Sequence, residues 1–157
     1  MTHGKCAYCE GSLGSQSYCE IDHYIPKLVA PHKVFDWDNL FSACCVCNKT
    51  KGDRNHRHSL IKPDLDDPEM YLWINPNGLI EPHPKLDAFD KDRAAETIEL
   101  CGLNRGPLVS DRAEALLHNT DSEEVLLNPA REFKLVIRQY RRELAAEDRR
   151  RFEARLP

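Results

Sequence analysis

The sequence contains no continuous apolar run long enough to cross a bilayer as a helix, and its first residues are too polar for a signal peptide. These absences argue against a membrane partner, and we expect a cytoplasmic protein. Low-complexity tracts are also absent, and 41% of the residues are apolar, so the chain can bury a core. Its 157 residues suit one compact domain with an appended helical piece.

The chain also lacks the excess of basic residues that is typical of proteins that coat nucleic acid. Its formal net charge is −4. Basic and acidic side chains number seven against six over residues 1–58, six against fifteen over 59–130, and nine against five over 131–157. Because bulk charge cannot hold this chain on nucleic acid, any such contact must be local or shared with a partner.

Four of the seven cysteines form two Cys-x-x-Cys pairs. Cys6 and Cys9 make the first pair, and Cys44 and Cys47 make the second, with 34 residues between Cys9 and Cys44. In a chain without an export signal, this spacing indicates metal binding rather than disulfides, because each pair can supply two corners of a zinc tetrahedron. Buried inert thiols would not explain two matched pairs. Since four thiolates fill the coordination shell, we predict a structural zinc site.

The segment between the cysteine pairs carries oxygen and imidazole groups. Asp22 and His23 stand at the end of a run that begins at Tyr18, where the chain turns and both side chains can reach one cleft. Asn39 lies downstream, and Asn48 directly follows the second cysteine pair. These ligand types suit a harder ion than the cysteines do, and they are compatible with catalysis.

The expected order of elements around this set is strand, loop, strand, helix. Aromatic and branched residues predict a strand over residues 18–23 and a second over residues 37–43, with Trp37 and Phe41 as core anchors. The second cysteine pair opens a short helix, which we expect Gly52 to end at the C-cap.

This combination resembles the HNH nucleases, the ββα-metal or His-Me finger group, in their zinc-clasped form. The pattern consists of Cys6-x-x-Cys9, Glu20-x-Asp22-His23-x-x-Pro26, Asn39-Leu40 and Cys44-x-x-Cys47-Asn48-x-x-Lys51-Gly52. The resemblance implies that His23 is the general base that takes a proton from water. It implies that Asp22 and Asn48 hold one catalytic Mg²⁺ or Mn²⁺ on the scissile phosphate. Asn39 would then brace the loop that orients His23.

The chemistry of phosphodiester hydrolysis agrees with this assignment. The reaction needs a nucleophilic water, an ion to neutralise charge at phosphorus and help for the leaving oxygen. A histidine with an ordinary pKa of about 6.5 is mostly neutral at pH 7 and can accept a proton. One carboxylate and one amide leave several water positions on the ion, as Mg²⁺ prefers. Glu20 either orients His23 or a metal-bound water, or it forms a salt bridge.

Basic residues near the motif are candidates for contacts with nucleic acid. Lys49, Lys51 and Arg54 follow the second cysteine pair, and Lys27 follows His23. Beside the predicted cleft they would hold phosphates without reading sequence, whereas the alternative is a solvated helix end. No recognition helix or base-reading set is evident, so we expect low sequence specificity.

A narrower resemblance extends beyond the nuclease motif, to the HNH subunit of Septu-type or retron-associated anti-phage defence systems. The segments that carry it are Cys6-Ala-Tyr-Cys9-Glu10, Tyr24-Ile-Pro26-Lys27, Trp37-Asp-Asn39-Leu40, Asp67-Pro-Glu69, Asn77-Gly-Leu-Ile80 and Thr97-Ile-Glu-Leu-x-Gly-Leu-Asn104. In that family the nuclease works with an ABC-type ATPase. The resemblance therefore implies such a partner for this chain.

The second half of the chain predicts a hairpin and a helical region. Residues 70–80 suggest two strands joined at Asn77-Gly78, and an amphipathic helix opens at Asn128-Pro129. The apolar stripe of that helix comprises Phe133, Val136, Ile137, Tyr140 and Leu144. This stripe either packs on the domain or docks a partner. We accordingly divide the chain into a nuclease core over 1–62 and a hairpin-plus-helical region over 63–157.

The sequence thus predicts an α+β protein, a zinc-clasped ββα-metal core with a helical C-terminal region, that cuts DNA in prokaryotic defence. RNA stays open as a substrate. One alternative is a free-standing HNH nuclease of a phage or mobile element. Another is a non-catalytic, zinc-stabilised nucleic-acid-binding module, although such a module would not need the whole set of Asp22, His23, Asn39 and Asn48.

Overall fold

The computed structural model describes residues 2–14, 18–54, 60–117 and 133–154. The fold is α+β, as predicted, with two separate two-stranded antiparallel sheets in the described part of the chain. The first sheet and the helix after it form the ββα unit. The second sheet is a short hairpin, and three longer helices follow it.

The ββα unit consists of β1 (Cys19–His23), β2 (Leu40–Cys44) and α1 (Cys45–Lys51). The strands pair antiparallel, with Asp22 opposite Phe41 and His23 opposite Leu40. Helix α1 follows β2 directly, since the Cys44 sulfur accepts a hydrogen bond from the Cys47 amide at 3.4 Å and so caps the helix. The predicted C-cap is confirmed, because Gly52 ends α1 with a φ of 57°.

Two features of the second predicted strand were wrong. The strand begins at Leu40, and Trp37–Asn39 form one turn of 3₁₀ helix instead. The cause is Asp36, whose carboxylate accepts a hydrogen bond from the Asp38 amide at 3.4 Å and caps this turn. Trp37 consequently points outward and is 82% exposed, so it is not a core anchor. Phe41 is buried, as predicted.

The predicted hairpin is confirmed, with shorter strands. It consists of β3 (Leu72–Ile74) and β4 (Ile80–Pro82), and it follows a single helical turn, α2 (Pro68–Tyr71). Gly78 has a φ of 84° in the connecting turn, and its amide donates to the Asn75 carbonyl at 2.9 Å. A Cβ atom at Gly78 would lie 2.2 Å from the Val109 carbonyl oxygen, so this turn fits closely against the helix that contains Val109.

Three helices complete the described chain. They are α3 (Ala88–Leu100), α4 (Gly106–Leu117) and α5 (Lys134–Glu153). The predicted start of the last helix at Asn128-Pro129 lies outside the described residues. Val136 and Ile137 of α5 are buried, and the Gln139 amide donates to the Leu72 carbonyl of β3 at 3.1 Å. The first turns of α5 therefore pack against the hairpin.

One core joins the two halves of the sequence. The four paired cysteines share a buried cluster with side chains of the hairpin and helices, namely Leu72, Ile74, Ile80, Leu103, Leu108, Leu116 and Val136. A smaller cluster under the ββα unit contains Tyr24, Phe41, Leu60 and Leu100. The buried Arg112 guanidinium donates to the carbonyls of Leu103 at 2.6 Å and Gly78 at 3.1 Å. None of the described helices is both long and apolar enough to cross a bilayer.

Candidate active site and metal centre

The two cysteine pairs come together as one cluster. The sulfur atoms of Cys6, Cys9, Cys44 and Cys47 all lie within 4.8 Å of one another, and all four residues are buried. The first pair sits in a turn in which the Cys6 amide donates to the Gly11 carbonyl at 2.9 Å. The second pair is fixed by the junction of β2 and α1. This arrangement could hold a metal ion, and four sulfur ligands from two short loops fit a tetrahedral zinc ion.

Hydrogen bonds among the thiols and one nearby arginine set the charge at the cluster. Hydrogen bonding from Cys47 lowers the pKa of the Cys44 thiol far below its usual value, while the bond to Cys44 raises the pKa of Cys47. The Arg105 guanidinium contacts three sulfurs, at 3.4 Å from Cys47, 3.7 Å from Cys9 and 3.8 Å from Cys44. A four-thiolate zinc site carries a net negative charge, which this guanidinium offsets. Sequence reasoning missed Arg105, which lies far along the chain from the cysteines.

Asp22 lies in a buried network between β1, α1 and the first cysteine loop. One carboxylate oxygen accepts from the Lys51 ammonium at 2.9 Å, and the other accepts from the Tyr8 hydroxyl at 2.5 Å. Lys51 also donates to the His23 carbonyl at 2.7 Å. Burial, and then the Asp22 charge, raise the pKa of Tyr8, which therefore stays a protonated donor. Tyr8 was not among the predicted site residues, although its position between Cys6 and Cys9 could have indicated that it lies near the metal cluster.

Asn48 has a different carboxylate as its partner. Its amide nitrogen donates to the Glu20 carboxylate at 2.7 Å, and both residues are half-buried. Glu20 and Asp22 share one face of β1, because alternate residues of a strand point to the same side. Asn48 and Lys51, one turn apart on α1, pair with them separately. The structure thus brings Asp22 and Asn48 to one interface, but the carboxylate in direct contact with Asn48 is that of Glu20.

His23 is held by the loop that connects the two strands. Its Nε2 lies 3.0 Å from the Val34 carbonyl oxygen. Since a carbonyl oxygen only accepts, Nε2 is the donor in this contact, and in the neutral form of the ring Nδ1 has the lone pair that can accept a proton. No sequence pattern pointed to Val34, because this contact depends on the path of the loop.

Asn39 fixes the same loop from below. Its side-chain oxygen accepts from the Ile25 amide at 2.7 Å, and its nitrogen donates to the carbonyls of Ile25 at 3.1 Å and Lys33 at 3.2 Å. Asn39 is buried, so these bonds are shielded from water. They connect Ile25, at the start of the loop, to Lys33 near its middle. This is the geometry that a residue bracing the His23 loop requires, while its role in catalysis stays a prediction.

The four basic residues predicted to contact nucleic acid divide into two groups. Lys27, Lys49 and Arg54 are exposed. Arg54 also donates to the carbonyls of Thr50 and Lys51 near the end of α1. Lys51 differs from the prediction, because it is only 1% exposed and its ammonium is taken up by Asp22 and His23. The helical spacing of α1 turns Lys51 toward β1 and away from solvent.

Comparison with known proteins identifies the class of this site. Residues 6–54 match the family model described as HNH endonuclease. These residues span both cysteine pairs, β1, β2 and α1, and they contain every predicted site residue. This segment is therefore similar to HNH endonuclease domains.

The curated relatives carry more specific names. The chain is 36% identical over 74 residues to the Septu protein PtuB of Bacillus thuringiensis, which covers 46% of this chain and 29% of that protein. It is 26% identical over 145 residues to the Septu protein PtuB of Bacillus mycoides strain KBAB4, covering 73% of this chain and 48% of that protein. It is 26% identical over 144 residues to the Septu protein PtuA of the same strain, covering 71% and 19%. The chain thus matches less than half the length of each of these relatives.

Proposed function

We propose that this chain is a metal-dependent endonuclease that hydrolyses DNA phosphodiester bonds as the nuclease of a Septu-type anti-phage defence system. The observation that carries the proposal is the state of His23. Its Nε2 donates to the Val34 carbonyl, so in the neutral ring Nδ1 can accept a proton, and the residue before it, Asp22, faces α1 and contacts Lys51. A module that only binds nucleic acid would not need the whole set of Asp22, His23, Asn39 and Asn48.

The proposed mechanism uses His23 as general base. Its Nδ1 takes a proton from the attacking water, and the bond from Nε2 to Val34 keeps the ring oriented. Asn39 maintains this geometry by fixing the loop. When bound, Mg²⁺ or Mn²⁺ would neutralise charge on the scissile phosphate and on the leaving oxygen.

The proposed ligands of the catalytic ion are Asn48 and Asp22, with Glu20 beside them. A carboxylate and an amide at the interface of β1 and α1 fit a hard ion. Asp22 is engaged by Lys51, so an ion at Asp22 has to compete with that ammonium. Glu20 is already in contact with Asn48 and can supply an oxygen to the ion or hold one of its waters.

The proposed role of the cysteine cluster is structural. Zinc bound by the four cysteines would fix the first loop to the start of α1, which carries Asn48. It would also hold Tyr8, and through it Asp22, in place. The zinc site would thereby support the catalytic residues without taking part in the reaction.

The proposed partner is a PtuA-like ABC-type ATPase. Support comes from the names of the relatives, which include both PtuB and PtuA. The acidic middle of the chain and the exposed side of α5 are candidate docking surfaces, with charge and apolar character for such a contact. Leu144 of α5 is an exposed apolar residue on that helix.

The experiment that tests the proposal is plasmid nicking by the purified chain with Mg²⁺, Mn²⁺ or no added divalent ion, alone and with the ATPase. His23→Ala should abolish cleavage while zinc content and melting temperature stay unchanged. His32→Ala, which removes an exposed histidine of the same loop, is the matched control and should cut normally. Undiminished cleavage by His23→Ala would overturn the mechanism. Failure of the wild-type chain to cut, with and without the ATPase, would overturn the nuclease function.

A further inference from the structure

The loop between β1 and β2 exposes two large aromatic side chains. Phe35 is 92% exposed and Trp37 is 82% exposed. Burying side chains of this size stabilises a folded protein, so a chain gives up stability when it leaves two of them in water. We refer to residues 33–37, which carry these rings, as the aromatic loop.

The aromatic loop has a fixed backbone. The Lys33 amide donates to the Ala30 carbonyl at 2.9 Å, and the Asp36 amide donates to the Lys33 carbonyl at 3.2 Å. Asn39 holds the Lys33 carbonyl as well. The rings are therefore presented to solvent from a defined position, which a binding platform requires.

The aromatic loop is also bonded to the proposed general base. His23 Nε2 donates to the carbonyl of Val34, the residue directly before Phe35. Consecutive Cα atoms are about 3.8 Å apart, so Phe35 follows this contact immediately and Trp37 follows two residues later. The two rings therefore belong to the same short segment that holds the proposed general base.

The chemistry of the aromatic loop fits unpaired bases. Aromatic side chains stack on the faces of all four bases without reading sequence, and cations hold the backbone that joins the bases. Lys27, which is exposed, and Lys33, which is partly exposed, lie on the same connection.

We propose that Phe35 and Trp37 stack unpaired bases next to the scissile phosphate, so that the substrate is single-stranded or locally unpaired nucleic acid. The inference rests on the proposed nuclease function and specifies its substrate. In intact duplex DNA the base faces are covered by their neighbours, and the rings find no partner there. Single strands and distorted junctions therefore bind more tightly than a matched duplex.

Trp37 itself provides the measurement. The chain contains two tryptophans, and Trp73→Phe removes the second one, so that the remaining fluorescence reports Trp37 alone. The zinc-loaded protein is titrated with oligodeoxythymidylate and with a duplex of the same length, without added Mg²⁺ or Mn²⁺. Stacking quenches tryptophan emission, so the single strand should quench it at lower concentration than the duplex does.

Phe35→Ser in this background should weaken single-strand binding by about 5- to 150-fold, as expected for losing one stacked base. Phe89→Ser removes an aromatic side chain that is also exposed, at the start of α3, and should bind normally. Phe35→Ser should keep the parental melting temperature. Quenching that is equal for duplex and single strand, or unchanged by Phe35→Ser, would overturn the proposal.

Two further outcomes separate this inference from the proposed function. Plasmid cleavage by the wild-type chain without any quenching of Trp37 by nucleic acid would overturn the stacking role and leave the nuclease intact. Quenching by single strands without cleavage would support the platform while the nuclease assignment fails. Protection of Trp37 from iodide by the ATPase, but not by nucleic acid, would make the aromatic loop a protein interface and overturn the proposal.

Discussion

Replacing Lys51 with methionine tests the buried network beneath the candidate site. Methionine keeps most of the apolar stem of lysine and removes the ammonium, which leaves the Asp22 carboxylate without its ionic partner. Lys51 is 1% exposed and Asp22 is 3% exposed, so water cannot replace the lost contact. The carboxylate keeps only the Tyr8 hydroxyl, and the His23 carbonyl also loses its bond to Lys51.

The magnitude follows from the burial of the pair. Removing one partner of a buried ion pair costs about 3–5 kcal/mol, because the remaining charge is uncompensated. In a chain of this size each 1 kcal/mol lowers the melting temperature by about 2–4 °C, so we expect a fall of about 6–20 °C. Lys62→Met is the control, since Lys62 pairs with Asp64 at 3.2 Å where both side chains still reach solvent. That change should cost about 1 kcal/mol.

The assay is thermal unfolding followed by circular dichroism in zinc-containing buffer without Mg²⁺ or Mn²⁺. Combining Lys51→Met with Asp22→Asn removes both charges, and the double variant should be more stable than the sum of the single effects predicts. The reasoning is refuted if Lys51→Met is no more destabilising than Lys62→Met. It is also refuted if the two changes are additive, since the charges would then not be coupled.

Three other predictions concern the metal cluster and the hairpin. Cys44→Ser should lose most of the bound zinc and should have a lower melting temperature. Cys45→Ser, which lies outside the cluster, should keep the zinc content and the melting temperature of the parent. Elemental analysis measures the zinc, and full zinc retention by Cys44→Ser would contradict the four-cysteine site. Arg105→Gln should speed zinc transfer to a chromogenic chelator by about 10-fold, because the negative charge on the thiolates is no longer offset. Arg93→Gln is the control: it breaks ion pairs with Asp66 and Asp90, away from the cysteines, and should leave the transfer rate unchanged. Equal rates for both would remove Arg105 from the site. Gly78→Ala should lower the free energy of unfolding by about 3 kcal/mol or more, because φ at this position is 84° and the added Cβ would collide with the Val109 carbonyl. Gly4→Ala is the control, since Gly4 has a φ of 79° but open space around it, and it should cost about 1 kcal/mol. Similar melting temperatures for the two variants would disprove the close fit at Gly78.

The sequence was most informative where the chemistry depends on residues that are close along the chain. The Cys-x-x-Cys spacing predicts a shared cluster because two ligands three residues apart can reach one ion, and the four sulfurs do meet. The order of strand, strand and helix is likewise set by local patterns, and Gly52 ends α1 as its free φ allows. These features need no knowledge of how distant segments pack.

The parts that were missed depend on tertiary approach or on a single cap. Trp37 had the composition of a core residue, but the Asp36 cap turns the chain and exposes the ring. Lys51 had the composition of a phosphate contact, yet the rotation of α1 against β1 buries its ammonium on Asp22. The contact between Arg105 and the cysteines joins residues 58 or more positions apart, which spacing rules do not address.

The shared core has a consequence for how this chain can be divided into fragments. Leu72, Leu103 and Val136, which follow residues 6–54 in sequence, belong to the same buried cluster as the four cysteines. A fragment that ends at residue 62 would keep all four sulfurs and every candidate catalytic residue, but it would lose these apolar neighbours and Arg105. We therefore expect residues 1–62 not to fold stably on their own. A fragment designed for expression should therefore include the hairpin and the helices that share this core.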